Sequence, residues 1–478
     1  MFLKDMDIKI DGPIKETEDS HMFSSSRYCR KPLDLEEYGY VEEEYFLTTT
    51  SDVYDLVDNK RVVVEKSIPV TTRLIIRRKK DENLRKNRVY VDILNASNCY
   101  DIEDLWRRSY LYIMENGFSY VGITSKPCNV LSLKNFDYDR YKNLNFSNGK
   151  LVSMPVVIDK FHRVSGCEEG LIWDVLTKLG LWIKNDGKYF FTKEDDIYTY
   201  LTGQSQSGMY LNTYVNQFSD IINYYKNDLY DGYVSLVGGG IQRALNQNST
   251  DYKHMGVTNY NTHKVSIPYV ELNTEGDFTL FSAFGGLKRG YNSDDENDKR
   301  RYYEVAGSAH TDVTSPLVPQ NSELDKAKCK RRMLDGEIPE NVNDYPLDYI
   351  VNGILENLHK WSSENEPAPV FTPMDLKEEF KDRDSFVLDE NKNAIGGLLL
   401  PFTTVPIGTY IGSTGATDGA IEYFTKDKIK MMYKDFNDYF SKFKNASDVC
   451  LNEKIITFND YKRMLERAKE KWEENYGV

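Results

Sequence analysis

The pattern of hydrophobic and polar positions changes rhythm three times along the chain. Residues 1–35 are polar and irregular, which predicts an arm or a sheet edge. From about 43 to 78, apolar and polar residues alternate and β-branched residues are frequent, in EEYFLTTTSDVYDL, RVVVEKSI and TRLIIRRKK. A period of two predicts antiparallel strands. The middle of the chain mixes two grammars. NRVYVDILNAS (87–97) and FSYVGITSK (118–126) are short apolar strands. DIEDLWRRSYLYIMENG (101–117) has helical spacing and stops at Gly117, and EEGLIWDVLTKLGLWIK (168–184) is a second helix. DIYTYLTGQSQSGMYLNTYVNQF (196–218) reads as strand, tight turn, helix. LYDGYVSLVGGG, KVSIPYVELNTEGD and RRYYEVAGSAH follow as strands. Strands alternating with helices of ten or more residues predict βαβ units, so the expectation is an α/β fold: a mixed, mostly parallel sheet flanked by helices.

Beyond 310 the text becomes helical and charged. An amphipathic helix is expected over 345–363, a Gly/Pro-punctuated stretch over 393–419, and two charged helices over 420–475. The expected organisation is an N-terminal arm (1–42), an α/β core (43–365), and a C-terminal helical and loop extension (366–478) that packs on the core and helps roof its pocket.

Composition narrows the function classes. A net charge of −14 repels phosphate backbones, so nucleic acid is not an expected partner. The local run Arg77-Arg78-Lys79-Lys80 is read as a solvated turn. Six scattered cysteines show no metal-site spacing, which predicts reduced thiols and a cytoplasmic setting. No apolar run of about 18 residues exists, so no membrane span is expected. No cofactor or metal is called for; the acidic stretch 293–298 is at most a weak Ca²⁺ site.

The chemistry concentrates at Gly203-Gln204-Ser205-Gln206-Ser207-Gly208. A serine on a sharp strand-to-helix turn is forced outward above the sheet edge, and the turn demands small neighbours. Ser205 is the expected nucleophile, with Ser207 its rival. The usual G-x-S-x-G pattern is shifted, with Ser207 fifth and Gly208 sixth. The N–H of Gln206, at the start of the helix, suits an oxyanion. A hydroxyl needs a base. Of the six histidines (21, 162, 254, 263, 310 and 359), His310 sits just past the last strand in a loop of small residues. His359, within a helix, is read as a packing residue. The acid should follow the strand VSIPYVELN: Asp277, after the turn TEG, is preferred over Glu275, because a loop carboxylate can orient the imidazole from behind. The second oxyanion donor is sought in the loop Asn95-Ala96-Ser97-Asn98, from the amide of Asn95 or Ala96. Gly238-Gly239-Gly240 is read as a flexible turn.

These stretches together resemble bacterial α/β-hydrolase-domain proteins of largely unassigned substrate: EEYFLTTTSDVYD, VYVDILNAS, FSYVGITSK, TGQSQSGMYLNTYVN, VELNTEGD, YYEVAGSAHTD and NAIGGLLLPFTTVPIGTY. The resemblance covers roughly 43 to 475. It implies Ser205 and His310 as nucleophile and base, with a carboxylate from the Glu275/Asp277 pair. It departs at GGLLLP (396–401), where Leu399 stands in place of a basic residue. The expected activity is a serine esterase acting on a small-molecule ester. The alternatives are an acyltransferase with the same triad and a catalytically silent binding protein.

Overall fold

The computed structural model describes residues 6–147, 162–249, 257–260, 264–311, 315, 317–329, 341–415 and 417–477. His254, His263 and part of the polar stretch 241–263 lie outside them. The chain divides into two compact units: Met1–Tyr269 with Asp295–Lys299 and Ser315–Glu337, and Val270–Asp294 with Arg300–Thr314 and Ile338–Val478.

The first unit is built on β1 (Lys9–Asp11), β2 (Tyr40–Val57), β3 (Lys60–Lys79), β4 (Arg88–Ile93), β5 (Ser119–Ile123), β6 (Tyr198–Gln204) and β7 (Gly232–Leu236). Their order is β1-β2-β3-β5-β4-β6-β7. The first strands pair antiparallel, and β4 runs parallel to both β5 and β6, as β6 does to β7. Val89, Val91, Ile93, Val121, Ile123 and Leu201 have no exposed surface, as strands covered on both faces require. The helix Asp104–Glu115 connects β4 to β5 and ends where Gly117 takes a φ of +73°. A small antiparallel ribbon joins β8 (Ile241–Arg243) to β9 (Val257–Tyr260).

Two expectations are corrected here. RVVVEKSI and TRLIIRRKK are not separate strands but one 20-residue strand, β3. The irregularity lies inside the first stretch, a bulge opposite Ser51–Tyr54 with Ser67 at a φ of +55°, while Pro69–Thr71 between the two stretches pair in register with Thr50–Thr48. Arg77 and Arg78 are not in a solvated turn. Both lie inside β3 and are buried, because β2 sets carboxylates against them. Arg77 Nε is 2.6 Å from Glu42 Oε2, and the same guanidinium pairs with Glu103; Arg78 lies 2.8 Å from Glu43. Arg73 extends this buried network to Glu44 at 2.5 Å and Asp101 at 3.1 Å.

The second unit contains β10 (Tyr269–Thr274) from Val270 onward, and parts of β11 (Ser293–Asp295) and β12 (Asp298–Val305), with β12 between β10 and β11 in the strand order. The acidic stretch 293–298 is thus a hairpin, in which Asp294 accepts from the Arg301 guanidinium at 2.6 Å. Among the described residues no group of three or more His, Cys, Asp or Glu could hold a metal ion. The antiparallel pair β13 (Gly408–Ile411) and β14 (Ala420–Tyr423) and the helices Leu347–Ser363, Phe436–Asn452 and Phe458–Tyr476 complete this unit. His359 is buried in its helix beside Ser363, as a packing residue. Among the described residues no helix is long and apolar enough to cross a membrane. All six cysteines are free thiols.

Candidate active site

In the first unit, β6 ends at Gln204 and the helix Gln206–Gln217 begins two residues later, leaving Ser205 as the whole turn. Ser205 adopts φ +56° and ψ −118°, a conformation costly for a residue with a side chain, on the order of 1–3 kcal/mol. The surroundings enforce it. The Ser205 N–H donates to the Leu236 carbonyl at 2.9 Å, and its own carbonyl accepts the Met209 N–H at 3.0 Å. A Cβ on Gly203 would lie 2.3 Å from the Ser207 carbonyl oxygen. One on Gly208 would lie 2.9 Å from the Leu236 oxygen and 3.0 Å from Gly238 Cα. The small residues at 203, 208 and 238 are therefore packing requirements, and Gly238 is a close-approach site as well as part of a turn. Ser205 is partly exposed, whereas Ser207 is buried at 2%, so the outward serine of the turn is Ser205.

Gln206, the first residue of the helix, carries one of the N–H groups that a helix leaves without an internal partner. The loop after β4 is tied to the same turn: Asn95 Nδ2 donates to the Gln204 carbonyl at 3.0 Å. The Gln204 side chain is held in turn by Arg108 Nε at 2.8 Å. The backbone N–H of Asn95 donates to Ile102 at 3.0 Å, and that of Ile102 returns to Asn95. That donor is used within the loop. Among the described residues no such loop bond is made by the amide of Ala96, which is buried.

In the second unit, His310 follows β12 by five residues and is 3% exposed. Its Nδ1 lies 2.5 Å from Asp277 Oδ1. Asp277 does not sit in a loop, as the text TEGD suggested. It is the third residue of the helix Glu275–Ser282, where its other oxygen accepts the Thr274 N–H at 2.6 Å, the carboxylate half of a capping box. Glu275 takes a different task. It accepts from the Gly307 N–H at 2.9 Å, from Arg383 Nε at 2.9 Å and from the Gly412 N–H at 3.1 Å. It therefore fastens the His310 loop and does not touch the imidazole. A Cβ on Gly276 would lie 2.7 Å from the His310 nitrogen, so a glycine is needed between the two carboxylates.

The family model described as an alpha/beta hydrolase domain matches residues 10–466. The chain belongs to the α/β-hydrolase domain family. Its fold is the α/β-hydrolase fold, a mixed, mostly parallel sheet flanked by helices and followed by C-terminal helices. No curated protein matches the chain. Among solved structures, this α/β-hydrolase is similar to the esterase Est22, at 12% identity and a TM-score of 0.31, covering 62% of this chain and 82% of that one. It is also similar to acetyl xylan esterase 1 from Thermoanaerobacterium sp. JW/SL YS485, at 11% identity and a TM-score of 0.27, covering 66% and 88%. A putative dienelactone hydrolase from Klebsiella pneumoniae subsp. pneumoniae MGH 78578 matches at 10% identity and a TM-score of 0.28, covering 59% and 95%.

Proposed function

We propose that the protein is a serine hydrolase that cleaves a carboxylic ester of a small molecule through an acyl-enzyme. The observation that carries the reading is the strained, partly exposed Ser205 between β6 and its helix, in a chain of this family. Ser205 Oγ attacks the ester carbonyl while His310 Nε2 accepts its proton. Asp277, bonded to Nδ1, fixes the tautomer in which Nε2 carries no proton and stabilises the imidazolium that forms. The N–H groups of Gln206 and Ala96 take the oxyanion. The alcohol leaves with the proton from His310. Water, deprotonated by the same imidazole, then releases the acid and frees Ser205. Screening an ester library with wild type and Ser205→Ala tests this. Hydrolysis in wild type should fall in the variant by about 10⁴–10⁶-fold, the usual loss for a nucleophile of this kind. Equal rates would end the proposal.

A further inference from the structure

The cysteines are scattered along the sequence, but the first unit gathers Cys99, Cys128, Cys167 and Cys329 beside the loop that carries Ala96. Cys128, buried, packs with Ala96 and Val164, and the partly exposed Cys99 and Cys167 pack against that cluster. The Cys329 thiol donates to the Cys99 carbonyl at 3.5 Å. The proposed hydrolysis uses none of these thiols.

Cys99 belongs to the loop itself. Asn95 and Ile102 close the loop by exchanging backbone hydrogen bonds, both of 3.0 Å. Inside it the Cys99 N–H donates to the Ala96 carbonyl at 2.9 Å, with Cys99 at a φ of +59°. That conformation is costly for a residue with a side chain. Through its side chain, Asn95 also reaches the turn at Ser205. Cys128 lies in the first turn of the helix Pro127–Phe136, which follows β5. A movement of Cys99 relative to that helix is therefore passed to Ala96.

The two thiols are set for different tasks. The Cys99 sulfur accepts a hydrogen bond from the Cys128 thiol. That bond, helped by the charge of Lys126 just before the helix, holds the Cys99 thiol below its usual range against the effect of burial. The same bond, and then burial, pushes the Cys128 thiol well above that range. The thiolate is the form that attacks a peroxide, and redox-sensing cysteines combine thiolate character and exposure with a resolving thiol alongside. Cys99 has the first two, and Cys128 is placed to be the third. Once Cys99 is oxidised, its sulfur no longer sets a negative charge against Cys128, and the charge of Lys126 favours the Cys128 thiolate.

We propose that Cys99 and Cys128 form a peroxide-sensitive pair whose disulfide slows the enzyme by shifting the Ala96 loop. The Cys99 thiolate attacks the O–O bond of a peroxide. One oxygen stays on Cys99 as a sulfenic acid, and the other leaves and takes a proton. The Cys128 thiolate then attacks the Cys99 sulfur, the S–O bond breaks, and hydroxide departs as water with the proton that Cys128 gave up. The two electrons come from the two thiols and end on the peroxide oxygens; a dithiol reverses the change. An S–S bond of about 2 Å is shorter than any contact between two free thiols, so it draws the loop and the helix together. Displacing an oxyanion donor costs up to about 10²-fold in rate.

The loss of rate rests on the hydrolase reading; the disulfide does not. Reduced wild type is treated with hydrogen peroxide, blocked with an alkylating agent and mapped by mass spectrometry. A Cys99–Cys128 disulfide is expected. Ester hydrolysis and fluorophosphonate labelling of Ser205 should fall by about tenfold to a hundredfold and return with dithiothreitol. Cys128→Ser should stop at the sulfenic acid, trapped on Cys99 by dimedone, and Cys99→Ser should leave Cys128 reduced. Thiols that stay reduced in wild type, or a cross-link from Cys99 to Cys167 or Cys329, overturn the pair whether or not esters are cleaved. A Cys99–Cys128 disulfide with an unchanged rate overturns the switch. If the reduced protein cleaves no ester and takes no probe, yet the disulfide forms, the hydrolase reading falls and the pair stands.

Discussion

One carboxylate joins the end of a strand to the imidazole: Asp277 Oδ1 lies 2.5 Å from His310 Nδ1 while its Oδ2 accepts the Thr274 N–H at 2.6 Å. The same side chain caps the helix Glu275–Ser282 and orients the histidine. Asp277→Asn should keep the cap but favour the wrong tautomer of His310. Its kcat on a hydrolysed ester should fall by about 10³–10⁴-fold, with little change in melting temperature. Glu275→Gln should do the reverse. It loses the ion pair with Arg383 and weakens the bonds from Gly307 and Gly412. Its stability should fall by about 1–3 kcal/mol in denaturant titrations, with a smaller loss of rate. The opposite ranking in the paired assays would exchange the two roles.

The turn at Ser205 is held by glycines with no room for a methyl group. Gly203→Ala would place Cβ against the Ser207 carbonyl oxygen and should cost on the order of 1–3 kcal/mol by overpacking. Because the clash falls within the turn, activity should drop more than the melting temperature alone explains. Unchanged stability and rate would show that the turn relaxes freely.

The strand–turn–helix around Ser205 was legible because its grammar is local: an apolar run, small residues, then helical spacing. The pairing of His310 with the Glu275/Asp277 segment followed from their places after neighbouring strands. The choice between the two carboxylates, and the helix that carries Asp277, turned on the spacing of Thr274 and Asp277, a capping box present in the text but read as a turn. Arg77 and Arg78 were misread for a different reason. Their partners Glu42 and Glu43 lie 35 residues upstream, and only the β2–β3 register brings them together. The buried Lys126 gave no local sign either, since Glu169, 3.9 Å from its Nζ, comes from a distant segment.

That buried network makes a prediction about stability. Arg77→Met leaves Glu42 and Glu103 buried without their shared cation. The variant should lose about 3–5 kcal/mol of unfolding free energy, or fail to accumulate as folded protein. A loss below about 1 kcal/mol, measured by urea titration, would mean that the network is solvated and contributes little.

Stability should also depend on pH through Lys126. Burial first, and then the charge of Arg243, pushes its ammonium down to about 7 from an ordinary 10.5. Between those values the unfolded chain holds the extra proton, so the folded state gains stability as pH rises through that window. Glu168 acts with the opposite sign at lower pH: burial raises its carboxyl from 4.5 to about 7, so stability is lost as pH rises across that range. Unfolding free energies of Lys126→Met should therefore rise less steeply than those of wild type above about pH 7, with the two parallel below it. Identical slopes above pH 7 would show that Lys126 stays charged in the folded protein.

The central claim is that Ser205 is an activated nucleophile, and labelling by a fluorophosphonate probe tests it most directly. Wild type, Ser205→Ala and Ser207→Ala would be treated in parallel and the modified residue read by mass spectrometry. The account predicts an adduct on Ser205 in wild type and in Ser207→Ala, and none in Ser205→Ala. An adduct on another serine, or a folded wild type that takes none, would contradict it.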